Sequence, residues 1–327
     1  MTASTQIAVA DIGGTHARFS LASISGGTAR LIGDPVILKT ADHEDLSAAW
    51  LAFGAHLDGP LPDHAAFAIA AAVGGQTVNM PNGRWSFAPE NLGAMLGLRG
   101  HLLLNDFQAV AHAVDQAEEG DFLHIAGPDL PLPSSGVVSI VGPGTGLGVA
   151  ALNRASAGAA SVLPTEGGHI GFAPVDALED RLLEQLRGDH GRVSVERVVS
   201  GAGLRAIWHI LAKIRGETVP NGDDVALWQA ALAGESPAAR AALERFCQCL
   251  GSVAGDIALV HGAGGVVIAG GLGRRLAAHL PASGFAQRFV DKGRYRALMQ
   301  GLPVRLITMQ EPGLFGAAAA YAAHRSG

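Results

Sequence analysis

Positive charge is scarce in this sequence. It has three lysines (Lys39, Lys213 and Lys292) and a formal net charge of −6. Because DNA, RNA and anionic membrane surfaces attract basic protein surfaces, this composition argues against nucleic-acid binding and membrane docking. We therefore expect the partners of this protein to be small molecules or other proteins.

Cysteine is rarer still, which excludes a disulfide scaffold. Cys247 and Cys249 are the two cysteines, and they lie two residues apart in a helix-like stretch. Side chains with that spacing point in different directions on a helix, so a disulfide between them would be strained. We predict two reduced, buried thiols and a reducing compartment.

Long apolar runs are also missing. No stretch is apolar for long enough to span a bilayer as a helix. The N-terminal run Ile7–Ala10 has no basic residues before it and ends at Asp11, so it resembles a first strand more than a signal peptide. We expect a cytoplasmic protein.

Several familiar catalytic motifs are absent. The sequence has no Gly-x-x-x-x-Gly-Lys-Ser/Thr loop, no protein-kinase His-Arg-Asp and Asp-Phe-Gly pair, no Gly-x-Ser-x-Gly elbow and no His-Glu-x-x-His helix. P-loop enzymes, protein kinases, serine hydrolases of that type and zincins are therefore unsupported. The run Gly142–Gly148 also differs from the Rossmann spacing and is flanked by strands on both sides.

Glycine, in contrast, is abundant, with 45 residues in a chain of 327. That length suggests about two domains, and alternating strand-like and helix-like segments predict an α/β architecture. A strand, a glycine turn and a second strand occur over Ile7–Leu21 and again over Gly136–Leu152, which suggests an internal duplication. A third strand, Gly264–Ala269, also runs into a glycine loop.

These glycine loops indicate a phosphate site. Glycine lets the backbone approach a phosphate closely, and successive N–H groups can form an anion-binding nest. One loop alone is weak evidence, because most glycine turns only reverse the chain. Three loops after strands, two of them carrying a threonine (Thr15 and Thr145), favour nucleotide binding.

Five polar residues outside the loops could bind or activate a substrate. Asn105 and Asp106 stand where a predicted strand meets a predicted helix, so Asp106 could be a helix cap or a general base for a hydroxyl group. Glu166 and His169 flank two glycines, and could form a surface ion pair, part of a zinc site or hydrogen bonds to a substrate. Glu196 could be only a favourable charge in a first helical turn.

A family resemblance adds to these observations. Ala10–Arg18 resembles the first phosphate loop of the actin/hexokinase/Hsp70 ATPase superfamily, Gly142–Gly148 its second phosphate loop, and Gly265–Gly271 its adenosine motif. More narrowly, Leu104–Ala111, Glu166–His169 and Ser194–Leu204 are similar to motifs of bacterial glucokinases. These motifs run in order over nearly the whole chain.

The resemblance implies a two-lobed ribonuclease-H-like (actin/hexokinase-type) α/β fold, with ATP and sugar in the interlobe cleft. The smaller domain would comprise residues 1–115 plus 312–327, and the larger domain residues 116–311. The implied activity is ATP-dependent phosphorylation of D-glucose at the 6-hydroxyl to give glucose 6-phosphate. A homodimer would fit the family.

The resemblance also implies a role for each motif residue. Asp106 would be the catalytic base, and the hexose contacts would be Asn105, Asp106, Glu166, His169 and Glu196. The ATP-binding set would be Ala10, Asp11, Ile12, Gly13, Gly14, Thr15, Gly144, Thr145, Gly146, Gly270 and Gly271. Asp11 would help to hold Mg²⁺ through water.

Two alternatives stay open from the sequence. One is a kinase for another hexose, because sugars that differ by single groups cannot be separated by motif residues. The other is a non-catalytic sugar-sensing regulator on the same fold. Such a regulator would usually carry a DNA-binding extension, whereas the first strand here starts by residue 7.

Overall fold

The computed structural model describes residues 4–80, 85–155, 160–219 and 221–326. In that part of the chain the strands are β1 (Thr5–Ile12), β2 (His16–Ser25), β3 (Thr28–Lys39), β4 (His64–Ile69), β5 (Val78–Asn79), β6 (Ser86–Phe87), β7 (Gly100–Asn105), β8 (Phe122–Ala126), β9 (Gly136–Pro143), β10 (Leu147–Arg154), β11 (Ser161–Thr165), β12 (Gly265–Ile268) and β13 (Val304–Ile307). The α-helices are α1 (Leu46–Gly54), α2 (Leu92–Leu96), α3 (Asp106–Gln116), α4 (Ala177–His190), α5 (Gly201–Arg215), α6 (Asp224–Ala233), α7 (Pro237–His261), α8 (Gly270–Arg275), α9 (Phe285–Val290), α10 (Arg296–Gln300) and α11 (Pro312–Ser326).

The chain divides into two compact units. The first comprises Met1–Glu118, Ala157–Pro164 and Met309–Gly327, and the second comprises Glu119–Ser156 and Thr165–Thr308. Their limits lie a few residues from the predicted domain boundaries at residues 115 and 312. The segment Ala157–Pro164 lies in the middle of the chain but belongs to the first unit, and the prediction has no counterpart to it.

The first unit is built on a five-stranded sheet in the order β3-β2-β1-β4-β7. Strands β1, β2 and β3 are antiparallel neighbours, while β1, β4 and β7 run parallel. Parallel strands end at the same edge of a sheet, and the register places Ile12 opposite Ile69 and Ile69 opposite Asn105. The first glycine loop and the residues after β7 therefore share one edge of this sheet.

Alternating side chains of β1 supply the two faces of that sheet, as period-2 geometry requires. One face packs on α1 through an aromatic group that contains Phe19, Trp50 and Phe53. The opposite face carries Ile7 and Val9 and packs on the alanine-rich helix α11. Helix α3 contributes Ala109 to the same core, so α11 supports the helix that begins with Asp106.

The second unit repeats this plan with a six-stranded sheet in the order β11-β10-β9-β12-β13-β8. Here β9 and β10 form the antiparallel pair, and β9, β12 and β13 run parallel. The order and directions of strands β2-β1-β4-β7 in the first sheet are thus repeated by β10-β9-β12-β13 in the second. This repeat agrees with the duplication expected from the sequence. In the described part of the chain a helix follows the last parallel strand of each sheet: α3 follows β7, and α11 follows β13.

The core of the second unit lies mainly between this sheet and helices α5, α6 and α7. Cys247 and Cys249 are buried on α7 with free thiols, as predicted. Beside them, the buried Glu179 accepts hydrogen bonds from Arg245 (2.8 Å) and from Arg288. Because a buried carboxylate is costly unless it is paired, these arginines make Glu179 compatible with the core and tie α4 to α7 and α9. No helix in the described ranges is long and apolar enough to cross a membrane.

Candidate active site

The first glycine loop joins β1 to β2 and is fixed by its own backbone. The N–H of Gly13 donates to the carbonyl of His16 at 2.9 Å. Thr40 holds the loop from outside, through its N–H to the Thr15 carbonyl (3.0 Å) and its hydroxyl to the Gly14 carbonyl (2.8 Å). Thr15 itself is exposed, so the loop presents its hydroxyl and backbone to solvent.

The residues just before this loop occupy two environments. The side chains of Ala10 and Ile12 are buried in the sheet, so a nucleotide could meet only their main-chain atoms. Asp11 is half-buried beside the loop. Burial raises the pKa of Asp11 to about 6, with Arg18 opposing the shift and the Glu311 carboxylate adding to it.

Glu311 is a residue that the sequence did not single out. It forms an ion pair with Arg18 at 3.3 Å. Its backbone has φ of 41°, the left-handed region that a residue with a side chain seldom adopts. Such strain is concentrated at functional sites, and here it places a second carboxylate next to Asp11.

Asn105 and Asp106 stand at the junction between β7 and α3, as predicted. Asn105 is the N-cap of the helix: its Oδ1 accepts from the N–H groups of Phe107 (2.9 Å) and Gln108 (3.3 Å). Its amide nitrogen donates to the Ala71 carbonyl at 3.4 Å. Asp106 is the first helical residue, half-buried, and its carboxylate accepts from the N–H of Phe107 at 2.9 Å.

This arrangement bears on the simplest alternative for Asp106. An acidic residue at a helix start is often the cap, because it satisfies unpaired N–H groups of the first turn. Here Asn105 is the N-cap residue and accepts from two of these N–H groups, while Asp106 shares the N–H of Phe107 with it, so the helix does not need Asp106 as its cap.

In the second unit, the loop from Gly144 to Gly146 joins β9 to β10. The N–H of Gly144 donates to the carbonyl of Gly146, and the carbonyl of Gly144 accepts from the N–H of Gly201, both at 2.8 Å. Thr145 is exposed at the tip. It lines a cavity of about 450 Å³ within this unit, together with Glu196 and side chains of α4 and α5.

The third glycine loop packs on the second. Gly270 has φ of 78°, and a Cβ atom there would lie 2.7 Å from the Pro143 carbonyl oxygen, so only glycine fits. Gly271 follows it in the first turn of α8 and is exposed. The structure thus brings together, at one edge of the second sheet, Gly144, Thr145, Gly146, Gly270 and Gly271.

Glu166 and His169 lie on the same side of a short 3₁₀ turn, Gly167–His169. Their side chains are largely exposed, and Glu166 Oε2 lies 3.8 Å from His169 Nε2. The His169 carbonyl accepts from Arg192 at 2.9 Å, which anchors the loop. Within the described ranges no group of three or more metal-ligating side chains is present.

Glu196 lies in a 3₁₀ turn, Val195–Arg197, that precedes α5. Its Oε2 accepts from the N–H of Leu147 at 3.0 Å, directly after the second glycine loop. The sequence carried no signal for this contact, because the two residues are 49 positions apart. Glu196 is therefore more than a charge in a first helical turn, because it also binds the residue that follows the second glycine loop.

Comparisons with known proteins identify relatives over nearly the whole chain. The sequence profile of the glucokinase family matches residues 8–324. A glucokinase of Zymomonas mobilis subsp. mobilis is 52% identical over 317 residues, which cover 97% of this chain and 98% of the relative. The solved glucokinase of an Antarctic psychrotroph is 33% identical with a TM-score of 0.82, over 96% of this chain and 98% of that one.

A more distant solved structure shares the fold. It is a ROK-family glucokinase from Streptomyces griseus, determined with glucose and AMPPNP, with a TM-score of 0.64 and 18% identity over 97% of this chain and 99% of that one. The predicted two-lobed actin/hexokinase-type α/β fold is confirmed. The predicted family is confirmed as well: this chain belongs to the glucokinase family.

Proposed function

We propose that this protein transfers the terminal phosphoryl group of ATP to the 6-hydroxyl of glucose, with Asp106 as the general base. The observation that carries the role of Asp106 is the capping of α3 by Asn105. Asp106 itself follows the end of a parallel strand, at the sheet edge that also carries the first glycine loop. The relatives named glucokinase support glucose as the acceptor.

The proposed reaction is one displacement at phosphorus. The 6-hydroxyl oxygen attacks the terminal phosphorus, and its proton passes to the Asp106 carboxylate. The bond between that phosphorus and the bridging oxygen breaks, and its electron pair leaves with ADP. Because the reaction needs little covalent help from the protein, positioning and charge stabilisation supply most of the rate.

Other predicted residues would position the two substrates. The exposed Glu166 and His169 side chains, with Asn105 and Glu196, offer donors and acceptors for the ring hydroxyls of a hexose. The N–H groups of Gly14 and Thr15 in the first loop, and of Thr145 and Gly146 in the second, would hold phosphate oxygens. The cavity beside Thr145 has space for more of the nucleotide.

Asp11 is the proposed residue for Mg²⁺, through water. Mg²⁺ usually takes one or two carboxylates together with substrate phosphates, and it keeps several waters. Asp11 and Glu311 supply two carboxylates close enough for one to raise the pKa of the other, an arrangement that a cation would relieve. When bound, the ion would neutralise charge on the phosphates.

A cytoplasmic location and a homodimer complete the proposal. The location rests on the reducing compartment expected from two free buried thiols, and the homodimer rests on the family resemblance.

The test is ADP release with a panel of glucose, mannose, fructose and glucosamine. Asp106→Asn is expected to lower kcat by about 10²- to 10⁴-fold, the usual contribution of a general base. The matched control is Asp115→Asn on the same helix, which should keep wild-type activity. Equal kcat for Asp106→Asn and wild type would remove Asp106 as the base. No dependence on any hexose would refute the kinase function. Preference for another sugar would favour the alternative of a kinase for another hexose.

A further inference from the structure

Parts of the proposed donor and acceptor sites meet at one residue, Leu147. Leu147 is buried and begins β10, directly after the second glycine loop. Its N–H donates to Glu196 at 3.0 Å. A Cβ atom at Gly168 would lie 2.1 Å from the carbonyl oxygen of Leu147, so the loop that carries Glu166 and His169 packs directly against this carbonyl group.

The Glu196 carboxylate also lies against the glycine loop itself. A Cβ atom at Gly146 would be 2.3 Å from Glu196 Oε2 and 3.0 Å from its carboxyl carbon. The other end of the loop is held by the bond from Gly201 to Gly144. The loop is thus fixed at Gly144 by main chain and at Leu147 by one carboxylate oxygen.

The turn that carries Glu196 is joined to the acceptor loop. The N–H of Val195 donates to the Ile170 carbonyl at 2.9 Å, and Ser194 forms a bridge with Gly171. Ile170 follows His169 directly. A shift of the Glu166–His169 loop would therefore move Glu196, and with it the support of Leu147.

We infer that Glu196 positions the phosphate loop, with one carboxylate oxygen on the Leu147 N–H and the other available to the hexose. Through it, hexose binding and nucleotide binding are coupled. The coupling to hexose binding rests on the proposed function, whereas the support of the phosphate loop by Glu196 does not.

The decisive measurement is nucleotide affinity in the absence of sugar, by calorimetric titration with AMPPNP. Glu196→Ala is expected to weaken binding about tenfold, because a charge-assisted hydrogen bond that orders the loop is lost. Glu196→Gln should stay within about twofold of wild type, since its amide oxygen still accepts from Leu147. The control Glu184→Gln, at an exposed position of α4, should bind AMPPNP like wild type.

Two outcomes would overturn the inference. Unchanged AMPPNP affinity in Glu196→Ala would mean that Leu147 needs no support. Tighter binding in both Glu196→Ala and Glu196→Gln would mean that the carboxylate only repels phosphate. Glu196→Asp provides a second test if the alanine variant is unfolded in thermal melts: it keeps the charge but cannot reach Leu147, so its affinity should fall, and wild-type affinity would count against the inference.

The coupling is tested by repeating the titrations with saturating glucose. Glucose should raise AMPPNP affinity in wild type and have less effect in Glu196→Ala; an equal effect in both would exclude Glu196 as the coupling residue. Failure of the proposed function would look different. Glucose would then not bind wild type measurably, while the sugar-free loop result would stand.

Discussion

The first and second glycine loops join similar pairs of strands, but different residues hold them in place. In each, one strand position lies two residues before the first loop glycine: Asp11 before Gly13, and Gly142 before Gly144. The first loop keeps a carboxylate at that position and is braced by Thr40. The second loop has glycine there and takes its carboxylate from Glu196, far along the chain.

A packing constraint explains the difference. The Gly270 position approaches the backbone of the second loop so closely that its Cβ atom would be 3.2 Å from the Gly142 carbonyl carbon. The third loop therefore packs on the backbone at position 142, where the second copy has no side chain. Duplicated backbones can therefore diverge in chemistry, one copy keeping charge in the strand and the other keeping space for a third loop.

The largest expected effect contrasts Gly168→Ala with Gly13→Ala. A Cβ atom at Gly168 meets the Leu147 carbonyl at 2.1 Å, whereas at Gly13 the nearest atom is 3.6 Å away, an ordinary contact. We expect Gly168→Ala to lower the free energy of unfolding by about 2–3 kcal/mol, as overpacking against backbone does. Gly13→Ala should melt like wild type and lose nucleotide affinity instead. Thermal unfolding and AMPPNP titration check this pair, and equal melting temperatures would contradict it.

The next effect concerns the carboxylate of the first loop. The pKa of Asp11 is about 6 in the folded protein and near 3.8 otherwise, so the folded chain holds an extra proton between these values. Stability therefore falls as pH rises from about 4 to about 6, and the penalty is complete above that.

We expect Asp11→Asn to be more stable than wild type by about 1–2 kcal/mol at pH 7.5, less than the full shift implies because the carboxylate stays partly solvated. The gain should vanish near pH 4. Urea unfolding at both pH values measures it, with Asp58→Asn at an exposed position as the control. A gain of the same size at both pH values would show that burial of the charge is not the cause.

The smallest effect concerns the brace of the first loop. Thr40→Val removes the hydroxyl bond to Gly14 but keeps the side-chain shape and the N–H bond to Thr15. We expect a loss of about 0.5–1.5 kcal/mol in unfolding free energy, with a modest loss of AMPPNP affinity. Thr28→Val removes a similar bond, to Ser25, in an exposed turn of the same unit and should leave nucleotide affinity unchanged. Equal affinities in the two variants would mean that Thr40 does not hold the loop.

Much of the scaffold could be predicted from the sequence because its signals are local. The strand before Asp11, the glycine turns, and the helix that starts at Asp106 each follow from short-range patterns of apolar residues and glycine. The duplicated hairpin was visible for the same reason.

The supports of the site could not be predicted in this way. Glu196 reaches Leu147, and Glu311 reaches Arg18, across long stretches of sequence that no periodicity connects. The cap was also ambiguous, because Asn105 and Asp106 are both good capping residues and only the backbone geometry decides between them.

Helix α11 has a consequence for the synthesis of this chain. It completes a core with Ile7, Val9 and Ala66, yet it is made after the entire second unit. While the ribosome is still translating, that face of the first sheet lacks α11, and an apolar face that is partly uncovered is prone to aggregation. The first unit to emerge is therefore among the last to finish folding, and a nascent chain stalled before residue 312 should depend on chaperones.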